Sequence, residues 1–388
     1  MSRQYWKIVS SITIWHVAAS ICFYMVSAGT PFFRDVFELS GFEVGVIITV
    51  LMLGYAIFLL PLGVVTDWFG ERLLLTVGLL GLGTGTVLIT VAPVYGFLLL
   101  AVFFLGTMYG TATPGTNKAI FDNIEPGRQH RAMGIKQVGP TVGSAIGAVL
   151  VTSLAGVFFW QLGFLVGAAI AAAVAIGFYT CYTSVSTASS TLPSFGALIA
   201  DRSYLLLLSA GVCIGAGVYT TVGYTVLYVE ESIGSAVAVG GLVLASIQVF
   251  GSVGRVTLGW LADVLPGAPR VGIGLLLAAQ PFVAAALFFG IPLANTPVSA
   301  AIVLSAIGFF GLGSTGLYFS YVSTIVSDST LGSASAGAQL AAVVGGLFSP
   351  PTFGYLVDTI GYDAGWLFLG ALSFTAAVLV TLVVITAR

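Results

Sequence analysis

The chain has 388 residues, of which 58% are hydrophobic and only 7% charged, with a formal net charge of −2. A soluble surface carries about 25% charged residues, so the composition excludes a water-soluble globule, and a small net charge with no basic stripe excludes a nucleic-acid partner. At roughly 30 residues for a span of about 20 plus its loop, the length holds about twelve spans and leaves no room for a sizeable domain outside the bilayer.

In chain order the apolar runs, read against charge and turn signals, predict helices near 9–31, 43–65, 72–92, 96–118, 131–155 and 157–181. A second set follows near 204–228, 237–262, 270–291, 298–326, 333–356 and 364–386. The opening MSRQYWK runs into an apolar stretch with no small-residue cleavage site and reads as a retained first span, not a removed signal. Between the sets lies YTSVSTASSTLPSFGALIADRS, rich in Ser and Thr, which reads as a linker. The expected fold is therefore an all-α membrane protein of twelve transmembrane helices in two pseudo-symmetric bundles. Residues 1–182 form the first bundle, 183–203 a cytoplasmic linker and 204–388 the second bundle.

Charge sets the orientation. With the N-terminus inside, Arg3, Lys7, Arg72, Lys118, Arg128, Arg131, Lys136, Arg202, Arg255, Arg270 and Arg388 all fall on or toward the cytoplasmic side, leaving Arg34 outside. This positive-inside bias places both termini in the cytoplasm of a plasma-membrane protein and requires an even number of spans. The three cysteines, Cys22, Cys181 and Cys213, lie far apart and read as small packing residues.

The two halves repeat one another. Gly63 and Asp67 match Gly259 and Asp263 at a shift of 196; Phe103, Phe104, Gly110 and Asp122 match Phe309, Phe310, Gly316 and Asp328 at 206; Gln137 and Gly143 match Gln339 and Gly345 at 202. Single matches are cheap in a chain with 50 glycines, but their agreement in order and shift is the mark of an internal repeat.

The loop after the second helix reads Gly63-x-x-x-Asp67-x-x-Gly70-Glu71-Arg72, with the later echo Gly254-Arg255-x-x-x-Gly259-x-x-x-Asp263 and the ending Gly354-Tyr355-Leu356-Val357-Asp358. These segments resemble the loop signature of the major facilitator superfamily, departing from it at Trp68 and Glu71, where that family often has basic residues. The resemblance covers essentially the whole chain. It implies that Asp67 latches onto the eleventh helix and Asp263 onto the fifth near Arg128 and Arg131, with Gly63, Arg72, Arg255 and Gly259 as parts of the same gates. It also implies that the first, fourth, seventh and tenth helices line a central cavity. Polar groups there at membrane depth are costly and point to function.

On the first helix, His16, Ser20 and Tyr24 recur every fourth residue and share a face. His16 lies roughly 13 Å into the span, close to the bilayer centre; it is a substrate or proton group, or a histidine bonded to a neighbouring helix. Tyr109, Thr113 and Asn117 follow the same spacing on the fourth helix, with Lys118 expected to reach for the interface. Lys136 lies inside the fifth helix, where a cation costs about 3 kcal/mol at the centre. Either an anionic substrate compensates it, or it extends toward Asp122 or Glu125. Gln137 and its repeat partner Gln339 are candidates for substrate or gate. In the second half, Tyr219 and Tyr224, Gln248 and Tyr318 complete the candidate lining, as solute contacts or as packing aromatics.

Gly139-Pro140-x-x-Gly143 resembles the fifth-helix signature of the superfamily's proton-driven exporters, although Ile135 and Ser144 replace two of its glycines and Gly106 stands where those exporters carry an Arg. A Gly-Pro pair bends a helix and allows close packing in any case. No carboxylate lies deep in a span, and no P-loop or hydrolytic motif is present. The resulting expectation is a transporter and not an enzyme: a monomer without cofactor that takes up a small organic anion or polar metabolite with a proton or sodium ion by alternating access. The alternative is proton-coupled efflux of drugs or apolar metabolites. A pore or a sensor is disfavoured, the latter because no signalling domain fits the length.

Overall fold

The computed structural model describes residues 3–125, 128–183, 201–264, 269–326 and 330–386. Most of the expected linker, together with Asp328 and Arg388, lies outside the described residues. Among the described residues, twelve helices are long and apolar enough to cross a bilayer. Spans 1 to 6 are Gln4–Ala28, Gly41–Phe69, Glu71–Thr90, Tyr95–Asn123, Arg131–Val157 and Trp160–Cys181. Spans 7 to 12 are Arg202–Glu231, Val237–Val264, Arg270–Leu293, Pro297–Ile325, Leu331–Thr359 and Tyr362–Thr386. Several run past their predicted ends: span 1 begins at Gln4 and span 4 continues to Asn123. Hydropathy sees only the apolar run, whereas backbone bonding continues into the polar layer beyond it.

The chain divides into two compact units, Met1–Phe37 with Val50–Leu192 and Glu38–Thr49 with Pro193–Arg388. In the first, span 1 packs chiefly on span 5 and span 3 on span 6; in the second, span 7 packs on span 11 and span 9 on span 12. The repeat seen in the sequence is thus matched by a repeat of helix pairing. Spans 1 and 5 approach closely because span 5 offers glycines. A Cβ on Gly139 would stand 2.9 Å from the Cβ of His16, and one on Gly143 would collide with the Val17 carbonyl. In the same unit the buried Trp15 indole donates to Leu75 O of span 3 at 2.8 Å, which satisfies a polar group that lipid could not.

Among the described residues three spans are interrupted, and others carry proline within a continuous helix. Span 4 consists of Tyr95–Tyr109 and Ala112–Asn123, parted at Gly110 and Thr111. Span 5 joins Gln129–Lys136 to Val138–Val157 through Gln137, and Pro140 has no N–H to return to the Lys136 carbonyl. Span 10 contains a π turn over Gly308–Leu312, closed by Gly313 N–H to Gly308 O at 3.1 Å. Span 11 carries Pro350 and Pro351 within its helix.

The first turns of span 2 are built into the second unit. Asp358 caps their N-terminus, accepting from Gly41 N–H at 2.7 Å and Phe42 N–H at 2.9 Å. Tyr224 OH reaches both Gly41 O at 2.6 Å and Pro350 O at 3.0 Å. Pro351 cannot donate to the Leu347 carbonyl four residues earlier, and the Thr49 hydroxyl donates to that oxygen instead, at 2.6 Å.

Candidate functional site

Within the first unit, spans 1, 4 and 5 bring a set of the expected residues together. Lys136 is the last residue of the helical segment before the break at Gln137, and it is 2% exposed. Its Nζ donates to Asn117 Oδ1 at 2.6 Å. His16, 4% exposed, lies over Gly139, one turn from Lys136, and its Nδ1 has no hydrogen-bond partner among the described residues. Span 1 continues upward from His16 with Ser20, whose hydroxyl is 3.1 Å from Tyr109 OH. Thr113 and Asn117 are only half-buried, so the polar column keeps an open side.

An aromatic wall stands beside the column. Phe23 stacks on Tyr109 with ring centroids 4.0 Å apart, and Tyr24 meets Phe23 edge-on at 5.2 Å. Tyr55 of span 2 closes the group, 5.7 Å from the Tyr109 ring, with its hydroxyl 3.4 Å from Thr113 Oγ1. Neither Phe23 nor Tyr55 was among the residues the sequence singled out. Phe23 has no polar group to mark it, and span 2 is not among the helices that the resemblance assigns to the cavity lining. The only available signal was their apolar-aromatic company, which in a chain with 27 phenylalanines and 15 tyrosines discriminates little.

Charge pairing separates two lysines that lie near each other. Lys118 is held by Asp122 at 2.9 Å and Asp67 at 3.5 Å. Arg128 pairs with Glu125 at 3.2 Å. Both carboxylates toward which Lys136 could have extended are therefore engaged elsewhere, and among the described residues none lies within ion-pairing distance of it. Gln137, at the break, and Arg131 are both exposed.

The loop residues of the signature also find partners inside the first unit. Arg72 donates to the Tyr179 carbonyl at the end of span 6, Nε at 3.0 Å and Nη2 closer still, with its guanidinium 4.5 Å from the Tyr179 ring centroid. The departure at Glu71 is accommodated by burial: its Oε1 accepts from Tyr182 OH at 3.1 Å and Asn123 Nδ2 at 3.4 Å. Burial, and then the Glu71 charge, push the Tyr182 phenol well above the ordinary tyrosine range. A Cβ on Gly63 would meet Pro114 at an ordinary 3.7 Å, so this position leaves room for a side chain.

In the second unit the candidates do not converge in the same way. Tyr224 is engaged with the backbone of Gly41 and Pro350, and the Thr220 hydroxyl beside it donates to Ser349 Oγ at 2.8 Å. Tyr318 is fully buried in an apolar core with Tyr204, Leu207, Leu317 and Val380, its hydroxyl directed at Ala338 O at 3.3 Å. Tyr219 and Gln339 are half-buried and Gln248 is buried on span 8. Arg255 lays its stem on Gly316, while Gly259 has open space before it and Asp263 is exposed. All three cysteines are free, with Cys22 buried against Gly167 and Cys181 exposed. No metal-binding cluster of His, Cys, Asp or Glu occurs among the described residues.

Twelve apolar helices in repeated pairings, with a cation and a histidine buried at membrane depth, define a multi-pass membrane protein with a polar site in its first unit. The profile of the Major Facilitator Superfamily matches residues 12–333, and the chain belongs to that family. It is 24% identical over 381 residues to the hexuronate transporter of Bacillus subtilis (strain 168), covering 92% of this chain and 89% of that protein. It is also 24% identical over 357 residues to the probable L-galactonate transporter of Escherichia coli (strain K12), covering 84% of this chain and 77% of that one. Among solved structures, a bacterial homologue of the human lysosomal transporter Spinster, inward-facing and occupied, superposes with a TM-score of 0.83 at 16% identity. That match covers 99% of this chain and 97% of the other, and at such identity it speaks for the fold alone.

Proposed function

We propose that the protein carries small organic anions across the membrane by alternating access, with Lys136 as the charge that receives the carboxylate. The observation that carries this reading is a lysine 2% exposed whose polar partner is a neutral amide. A buried cation without a counter-charge is costly, and an anion entering from the half-open side of Asn117 and Thr113 relieves that cost. Similarity to transporters named for a hexuronate and L-galactonate, both carboxylates, supports the same class of solute. In this reading the direction is uptake coupled to a proton or sodium ion. The chain works as a monomer in the plasma membrane with both termini cytoplasmic, in keeping with the positive-inside bias.

Uptake of labelled D-glucuronate and L-galactonate into proteoliposomes tests the proposal. Saturable uptake that Lys136→Ala reduces at least tenfold is expected. Undiminished transport by that variant sinks the role of Lys136. Efflux of apolar compounds is the competing reading, favoured by the aromatic wall of Phe23, Tyr55 and Tyr109. It predicts a drug-resistance phenotype that survives the loss of Lys136.

A further inference from the structure

An ammonium group donates and never accepts, so Asn117 must present its oxygen to Lys136 and keep its NH2 as a free-standing donor. This arrangement satisfies a hydrogen bond of Lys136 and cancels none of its charge. One position further along span 4, the chain does the opposite: Lys118 is met by two carboxylates, Asp122 and Asp67. Carboxylates are thus within the chain's reach at this end of the bundle, and the deeper lysine is given an amide. His16, buried over Gly139 one turn away with Nδ1 unpartnered, brings no carboxylate to it.

We propose that Asn117 sets the charge of the substrate: by holding Lys136 through a neutral amide it leaves one positive charge in the site, which selects organic monoanions over dianions and neutral analogues. The inference rests on the anion-transport reading above and adds a charge count to it. A dianion would bring one negative charge more than Lys136 neutralises into a low-dielectric site, and a neutral solute would leave the lysine uncompensated. An aspartate at position 117 would take the substrate's place on Lys136, so the site would be charge-complete before any ligand arrived.

Three six-carbon probes that differ in charge separate these cases: D-glucose with no carboxylate, D-glucuronate with one and D-glucarate with two. Isothermal titration of purified protein is expected to give at least tenfold tighter binding of glucuronate than of either other probe, for the wild type and for Asn117→Gln. Asn117→Asp is expected to lose glucuronate binding at least tenfold and yet to melt at a higher temperature than the wild type. Lys136→Met, which removes the charge by another route, is expected to melt higher as well. Glucarate binding as tightly as glucuronate, or wild-type glucuronate affinity in Asn117→Asp, overturns the proposal. So does a melting temperature at or below that of the wild type in both variants, a readout that needs no ligand. Failure of all three probes to bind the wild type, with both variants melting higher, refutes the anion reading and upholds the uncompensated charge.

Discussion

Removing the Asp358 carboxylate should loosen the start of span 2 and little else. The group accepts two backbone N–H bonds, at 2.7 and 2.9 Å, from the first residues of a 29-residue helix. A capping interaction contributes about 1 kcal/mol, and a negative charge at an exposed helix N-terminus adds a few tenths. Asp358→Ala therefore costs about 1–1.5 kcal/mol locally. At 1.4 kcal/mol per decade this makes local opening roughly five- to tenfold more frequent. Asp358→Asn keeps an acceptor and loses the charge, so its effect should be about half as large in free energy. Hydrogen–deuterium exchange resolved by peptide reads this directly: residues 38–49 should exchange faster by that factor while peptides from spans 9 and 12 hold their rates. Unchanged exchange at 38–49, or a uniform rise across the protein, refutes the assignment of Asp358 as the cap that holds this segment in the second unit.

Two further substitutions test the packing around the site. Gly143→Ala places a Cβ against the Val17 carbonyl and 2.7 Å from the Ser20 Cβ, so spans 1 and 5 must part. A cost of about 1–3 kcal/mol and a lower melting temperature are expected, and an unshifted melt contradicts the close approach. Tyr182→Phe withdraws a donor from the buried Glu71 carboxylate at a cost of about 1–3 kcal/mol. Because the Tyr182 phenol is raised above its ordinary value, its contribution is complete below about pH 10 and is lost only as pH climbs through the folded value. The melting difference between wild type and variant should therefore stay constant between about pH 6 and pH 9; a difference that shrinks across that interval argues against the bond.

Span number, internal repeat and family were legible because a bilayer imposes a strong, length-coded hydropathy signal. Lys136 was legible as an anomaly for the same reason. Its partner was not: Asn117 lies on another helix, and nothing in the local pattern tells an amide partner from the nearby Asp122 or Glu125. Four-residue spacing puts His16 and Ser20 on one face because span 1 is continuous helix there, whereas Tyr109 and Asn117 lie on either side of the interruption at Gly110 and Thr111. It says less in span 10, where the π turn over Gly308–Leu312 inserts one residue. One extra residue rotates all that follows by about 100° relative to a straight helix, and Tyr318 and Tyr321 beyond it are packed into the apolar core. Tertiary pairing also decided the fate of the signature charges. Arg72 and Asp67 find partners within their own unit, on Tyr179 and Lys118, at sequence separations that no motif encodes.

The bond from Thr49 to the Leu347 carbonyl has a consequence for hydration. Pro351 leaves the Leu347 carbonyl of span 11 without its helical donor, and a carbonyl oxygen at membrane depth is not left dry without a cost of several kcal/mol. Whenever the first turns of span 2 withdraw, water must arrive at that oxygen in their place. Departure of the segment is therefore also the wetting of a crevice. Its frequency should follow water activity, slowing in concentrated osmolyte by a factor that counts the molecules admitted.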